Sequence, residues 1–225
     1  MEGVVLVDER KTDKAGTLVA RDAAVRVTRL FQPYVSRGGL KLEAALDFFC
    51  LSPAGKVAMD IGASTGGFTD CLLQRGVLRV YAVDVGYGQL SWKLQRDPRV
   101  RNLQRRNIRH LARDDVGEEI DLAVIDASFI SLKLVIPAVL RFLKTGGELL
   151  SLVKPQFEVG KGEVGKGGVV RDTEKHQEVV ENLIVFSRDL GCTYRGVVES
   201  PLRGPRGNRE FFLYLENAYG KTSDT

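Results

Sequence analysis

Apolar residues come in short continuous runs separated by longer stretches that are apolar on one side only. The runs fall at residues 57–61, 79–84, 121–126, 148–153, 194–199 and 211–215. Short continuous runs of this kind predict strands buried on both faces. Helical spacing lies between most of them, at residues 67–75, 89–96, 132–143 and 174–190. Strands alternating with helices predict an α/β fold with a mainly parallel sheet covered on both sides. The last two strands are joined only by "SPLRGPRGN", too short for a helical crossover, so an antiparallel pair is expected at the sheet's end.

Ahead of this pattern stands "VSRGGLKLEAALDFF", residues 35–49, with apolar positions at Leu40, Ala44, Leu46, Phe48 and Phe49. That spacing predicts a helix with one face on the core. Lys41 sits where the face begins, as either a snorkelling surface residue or a placed charge. The first thirty residues read as two or three short β-patterned segments with a polar corner at Lys14, Ala15 and Gly16, too small for a domain alone. Pro33 marks the junction. The expected organisation is a β segment at 1–30, a linker at 31–33, the main domain at 34–217 and a tail at 218–225.

Composition narrows the class. At 225 residues, 44% hydrophobic and 28% charged, the chain suits a soluble domain with an appendage. No apolar run approaches bilayer length and the N-terminus lacks the order of a secretion signal, so a cytoplasmic protein without a membrane partner is expected. Cys50, Cys71 and Cys192 lack Cys-x-x-Cys spacing, which predicts buried free thiols rather than disulfides or a metal site. The net charge of +4 leans only mildly toward polyanions. Its distribution says more: Lys93, Arg96, Arg99, Arg101, Arg105, Arg106, Arg109 and Arg113 stand against Asp97 alone. Such a cluster attracts phosphates if it forms one face, and is otherwise a solvated rim. Trp92 and Tyr87 beside it are expected in the core, with base stacking as the rival role. The glycine-rich segment 160–168 reads as a mobile loop.

The stretch "VAMDIGASTGGFTD", residues 57–70, ends a buried strand at Asp60 and opens a helix near Gly67 through a glycine turn. Backbone N–H groups and a helix N-terminus there face a ligand beyond the strand ends. The turn is not G-x-G-x-x-G, so it is no dinucleotide fingerprint. Gly62, Ala63, Ser64, Thr65 and Gly66 do spell G-x-S-x-G, a nucleophile elbow, but His110 and His176 are the only histidines and neither follows a late strand as a triad requires. The third reading is an S-adenosylmethionine site, in which Asp-x-Gly-x-x-x-Gly wraps the amino-acid end. A second strand-terminal acid about twenty residues on, here Asp84, then takes the ribose hydroxyls. The segment "GKGEVGKG" approximates a Walker A loop but has glycine where Ser or Thr must hold Mg²⁺. Asp126 ends the strand at 121–126 and Lys154 follows the run at 148–153. A lysine there is costly unless it meets a carboxylate or solvent, so the two are expected to face each other.

Taken together, "YVSRGGLKLEAAL", "DIGASTGGFTDCLL", "AVDVGYGQL", "DLAVIDASFISL", "LVKPQFEVGKGEVGKGGVVRD" and "SPLRGPRGNREFFLYL" resemble the hemolysin A (TlyA) family, whose methyltransferase domain is FtsJ-like. The resemblance covers about residues 30–216. It implies a Rossmann-like class I S-adenosylmethionine-dependent methyltransferase fold with a seven-stranded, mainly parallel sheet and an antiparallel final strand. The implied activity is 2′-O-methylation of ribose in ribosomal RNA, usually at cytidine, with ribosomal RNA or ribosomal subunits as partner. The family's Lys-Asp-Lys-Glu set falls on Lys41, Asp126, Lys154 and Glu210. Its cofactor positions match Asp60, Gly62, Ser64, Gly66, Gly67 and Asp84, and approximately Asn107 and Ile108 near the adenine. Complete members begin with an RNA-binding module of the ribosomal small-subunit protein four type. Residues 3–28 resemble only its closing β segment, so the chain reads as N-terminally truncated.

Methyl transfer to a ribose 2′-hydroxyl needs alignment and proton removal. Lys154 is either the base or an ammonium that stabilises the developing alkoxide. Expected RNA contacts are Arg37, Arg96, Arg99, Arg105, Arg106, Lys161 and Lys166. The alternatives are an RNA-binding protein that keeps the fold without turnover, and a membrane-active hemolysin, for which no amphipathic or spanning segment speaks.

Overall fold

The computed structural model describes residues 5–12, 14, 16–27, 33–160, 162–165 and 167–218. Two compact units divide the chain, Met1–Pro33 and Tyr34–Thr225. In the first, β1 (Val5–Val7), β2 (Arg10–Lys11) and β3 (Val25–Val27) form a sheet in the order β2-β1-β3 with antiparallel pairing. Asp8 and Glu9 turn the β1–β2 hairpin with positive φ of 48° and 63°, the backbone that matches strand twist in a tight hairpin. Ala15, one residue of the expected corner, lies outside the described residues.

The second unit is a seven-stranded sheet between two helical layers. Its strands are β4 (Val57–Ile61), β5 (Arg79–Asp84), β6 (Val100–Gln104), β7 (Ile120–Ile125), β8 (Leu143–Val153), β9 (Cys192–Glu199) and β10 (Phe211–Asn217), in the order β6-β5-β4-β7-β8-β10-β9. Pairings are parallel from β6 through β8, and β10 runs antiparallel to both β8 and β9. This is the Rossmann-like class I methyltransferase fold. Alternate strand residues face opposite layers. Ala58, Val80, Leu122, Leu150 and Phe212 pack against α1 (Gly38–Phe48), α2 (Gly67–Gln74) and α3 (Trp92–Gln95). Met59, Ile61, Ile125, Leu149 and Leu213 pack against α4 (Leu132–Leu140) and α5 (Thr173–Asp189).

Several expectations are corrected. The arginine-rich stretch contains an unexpected strand, β6, because an edge strand reading "VRNLQ" buries only Val100 and leaves no apolar run to notice. The expected helix at 89–96 contracts to the four residues of α3, and the one at 132–143 ends at Leu140 because Leu143 already belongs to β8. In α1 the buried face is Gly39, Leu42, Ala45 and Leu46, while Phe48 is exposed. Gly39 belongs to that face because a Cβ there would lie 2.3 Å from the Tyr34 ring. Cys50, just past α1, is exposed, whereas Cys71 and Cys192 are buried. Trp92 and Tyr87 are not core residues: both are exposed, each covered on one face by a guanidinium, Arg96 at 3.6 Å and Arg105 at 4.1 Å.

Candidate active site

Strand register alone brings the rim residues together. Ile61 pairs with Val83 on one side and Ile125 on the other, Ile125 pairs with Ser151, and Phe211 pairs with Val153. The residues just beyond these pairs are therefore neighbours: Asp84, Gly62, Asp126, Lys154 and, entering the antiparallel strand, Glu210. A cavity of about 660 Å³ opens there, lined among others by Arg37, Lys41, Asp60, Gly62, Ser64, Gly67, Asp126, Lys154 and Glu210.

The glycine turn shapes one wall. Gly62 has φ of +84°, and a Cβ on it would lie 2.6 Å from the Asp126 carbonyl oxygen. Gly66 has φ of +96°, and its Cβ would meet Leu94 at 2.2 Å. Positive φ favours glycine at both positions, and at Gly62 the backbone contact excludes a side chain as well. The Ser64 N–H donates to Asp84 Oδ2 and the Gly86 N–H to Oδ1, both at 2.7 Å. Each Asp84 oxygen keeps a lone pair for a further donor. Asp60 is fully enclosed; Thr69 Oγ1 donates to its Oδ2 at 2.7 Å, while Oδ1 has no partner among the described residues. Burial, with the negative charges of Asp126 and Asp84 adding, pushes the Asp60 carboxyl up to about 7 against the Thr69 hydrogen bond.

Two ion pairs also line the cavity. Lys41 Nζ meets Glu210 Oε2 at 2.6 Å, and Lys154 Nζ meets Asp126 Oδ1 at 2.6 Å. Lys154 also donates to Ser128 Oγ at 2.9 Å. Lys41 reaches its partner because the segment before α1 is pinned: the Val35 N–H donates to Asp70 of α2 and the Tyr34 hydroxyl to Glu43. Gly204 makes room for Glu210, since a Cβ there would lie 2.0 Å from Oε1.

Other expected residues lie apart from the cavity. Asp84 borders it only through Ser64. Asn107 accepts from the Arg109 N–H at the start of the turn Ile108–His110, and Ile108 is buried in the core. Arg37 lines the cavity, but Arg96, Arg99, Arg105 and Arg106 do not. Arg99 pairs with Asp97 at 2.7 Å and Arg106 with Asp115 at 3.5 Å, so acids inside and just beyond the window divide the cluster. Lys161 and Lys166 lie outside the described residues. Neither histidine lines the cavity, which leaves Ser64 without a triad; His176 Nε2 is 2.9 Å from the Val170 carbonyl.

The cavity also contains residues that sequence reasoning missed: Ser128, Phe129, Phe157, Arg203 and Arg206. Phe129 is 90% exposed at φ of +63°, with its ring 5.0 Å from that of Phe157. A large aromatic placed in solvent on a left-handed backbone is the signal in structure, but in sequence it looks like any loop phenylalanine. Among the described residues no helix is long and apolar enough to cross a membrane, and no cluster of three or more His, Cys, Asp or Glu could hold a metal.

The arrangement offers acceptors for an ammonium at Asp60 and for hydroxyls at Asp84, and two lysines that can orient a nucleophile. Asp60 Oδ1, buried on the cavity and without a partner among the described residues, fits the ammonium at the amino-acid end of S-adenosylmethionine. Comparison with known proteins agrees with this chemistry. Residues 34–217 match the model of the FtsJ-like methyltransferases. The chain is 47% identical over 214 residues to the 16S/23S rRNA (cytidine-2′-O)-methyltransferase TlyA of Mycobacterium tuberculosis, covering 95% of this chain and 80% of that protein. It is 40% identical over 185 residues to Hemolysin A of Brachyspira hyodysenteriae, covering 81% and 76% respectively. A solved structure from Streptococcus thermophilus that carries a hemolysin name is 43% identical, covers 97% of this chain and 80% of its own, and superposes with a TM-score of 0.84.

Proposed function

The chain belongs to the FtsJ-like methyltransferases, and on that premise we propose that it moves the methyl group of S-adenosylmethionine to a ribose 2′-hydroxyl of ribosomal RNA, at a cytidine. The observation that carries this reading is the placement of both 2.6 Å lysine–carboxylate pairs on the same cavity as Asp60 and Gly62. The cytidine and the ribosomal substrate are supported by the likeness to the mycobacterial enzyme.

Bound S-adenosylmethionine supplies an electrophilic methyl on a sulfonium. This chain's residues do the rest. Asp60 would receive the ammonium of the amino-acid end, the turn with Gly62, Ser64, Gly66 and Gly67 would hold that end, and Asp84 would take the ribose hydroxyls. Asn107 would be the residue nearer the adenine, with Ile108, buried in the core, supporting the turn that begins there. Lys154 and Lys41 set a positive field at the attacking oxygen, each fixed by its carboxylate. Because Asp126 and Ser128 both contact Lys154, the ammonium form stabilises the developing alkoxide and the proton leaves by water. A Lys154 that first gives up its proton would instead act as base. A rate that keeps rising into the alkaline range where lysine deprotonates favours the base; a rate that falls there favours the ammonium.

Phe129, exposed at the cavity mouth, is placed to stack on an unstacked base. Arg37, Arg96, Arg99, Arg105, Arg106, Lys161 and Lys166 are proposed to meet RNA phosphates, and residues 1–30 to be the closing part of an RNA-binding module of the ribosomal small-subunit protein four type. The test is transfer of a labelled methyl from S-adenosylmethionine to unmodified bacterial ribosomal subunits and to free rRNA, with nucleoside analysis. Label in 2′-O-methylcytidine supports the reading; label in a base, or none while the cofactor binds, contradicts it.

A further inference from the structure

The loop between β9 and β10 carries three arginines with different partners. Arg209 is committed to Glu199, which accepts from its Nε at 2.8 Å and its Nη2 at 2.5 Å. Arg203 and Arg206 are exposed and line the cavity. Among the described residues neither is in an ion pair with a carboxylate. Arg203 Nη1 donates to the Gly207 carbonyl at 3.2 Å and Arg206 Nη1 to the Gly167 carbonyl at 3.0 Å. A guanidinium has five N–H donors, so one carbonyl contact orients the fork and leaves most of it available at the cavity.

The backbone here is held in an unusual shape. Arg206 has φ of +62° and ψ of 10°, a left-handed conformation that a non-glycine residue keeps only where its surroundings enforce it. Asn208 enforces it from below: it is buried, donates from Nδ2 to the Gly168 carbonyl at 2.9 Å and accepts from the Val170 N–H at 3.1 Å. The same loop presents Gly204 to the Glu210 carboxylate. Arg203, Arg206 and Glu210, the partner of Lys41, are thus set around one cavity by one short segment.

The substrate chemistry supplies a matching anion. In RNA the carbon bearing the 2′-hydroxyl adjoins the carbon bearing the 3′-phosphodiester, so a ribose presented to the lysines brings that phosphate with it. Planar forks suit phosphate oxygens better than point charges do. We propose that Arg203 and Arg206 clamp the phosphodiester on the 3′ side of the methylated nucleotide, a positioning role that rests on the 2′-O-methyl transfer proposed above.

The test is steady-state methyl transfer by the full chain and by the Arg203→Gln/Arg206→Gln double variant, on an RNA fragment containing the mapped target. Binding of S-adenosylhomocysteine serves as the fold check. The expected result is a KM for RNA raised about tenfold or more with kcat within about twofold, and a log–log salt dependence shallower by about one to two. A methylphosphonate at the 3′ linkage should cost the wild type a similar factor and the double variant almost nothing. Equal cost in both proteins, or an unchanged KM and salt slope, overturns the clamp alone. Should the double variant fail the fold check, wild-type indifference to the methylphosphonate overturns the clamp and a loss supports it. Absence of any transfer by the wild type overturns the methyl-transfer reading and the clamp with it.

Discussion

Lys41 and Lys154 each meet a carboxylate at 2.6 Å, yet the two pairs are enclosed in opposite ways. In the first, the Glu210 side chain is fully buried and Lys41 is 12% exposed. In the second, Lys154 is 9% exposed and its partner Asp126 26%. A buried carboxylate without water depends on its counter-ion, so Glu210 and Lys41 hold each other and fix a charge in place. The Asp126 side chain is partly open to solvent, while Lys154 is itself buried and has Ser128 as a second contact. The difference lies in the carboxylates: Glu210 is sealed from solvent and Asp126 is not, although both pairs join a lysine to an acid at the same distance.

The sharpest way to break this comparison is Lys154→Ala. If Lys154 acts on the nucleophile, transfer should fall by about 10²–10⁴-fold, with S-adenosylhomocysteine affinity, measured calorimetrically, unchanged within about twofold. Full activity in this variant would end both versions of its role.

Next in size is a contrast in stability. Lys41→Met strands Glu210 in the interior and should cost about 3–5 kcal/mol in denaturant unfolding. Asp126→Asn leaves the buried Lys154 ammonium two neutral acceptors, the new amide oxygen and the Ser128 hydroxyl, and should cost less, about 1–3 kcal/mol. Equal losses in the two variants would mean that the burial difference carries no energetic weight.

That contrast could not have been read from the chain, and the reason is physical. Asp60, Asp84, Asp126 and Lys154 were legible because each ends or follows a continuous apolar run, and strand ends in a parallel sheet share one rim. Lys41 and Glu210 are 169 positions apart, and no periodicity links a helix start to a strand start; resemblance supplied their partnership. The seventh strand was hidden because β6 is an edge with one buried residue. Phe129, Arg203 and Arg206 belong to loops, where side-chain direction follows from positive-φ residues and long-range anchors such as Asn208 rather than from spacing.

Phe129 extends the comparison to a residue that burial does not explain. Ring removal exposes little, so Phe129→Ala should leave unfolding almost unchanged. If the ring stacks on the target base, KM for RNA should rise by about tenfold, the scale of one base–aromatic contact of roughly 1–3 kcal/mol. Phe129→Tyr should retain most of the affinity. A variant that loses stability and keeps its KM would assign the ring to packing on Phe157 instead.

The smallest effect concerns Asp60, the third acid of the cavity and the one without a lysine. Its carboxyl is pushed up to about 7 by burial, with Asp126 and Asp84 raising it further and Thr69 opposing. Below that value the free site carries a proton on Asp60, and an incoming ammonium must displace it. Affinity for S-adenosylhomocysteine should therefore rise with pH, by about five- to tenfold between pH 6 and 7.5. It should fall again only at more alkaline pH, where the ligand's own ammonium loses its proton. Folding stability runs the other way, since the native state holds a proton that the unfolded chain releases near 4: the Asp60 contribution declines from pH 4 to 7 and is level above. Asp60→Asn cannot titrate, so its binding curve should be flat on the acid side. A wild-type curve equally flat there would show that Asp60 meets the ligand already ionised, and that the fields of Lys154 and Lys41 extend across the cavity to it.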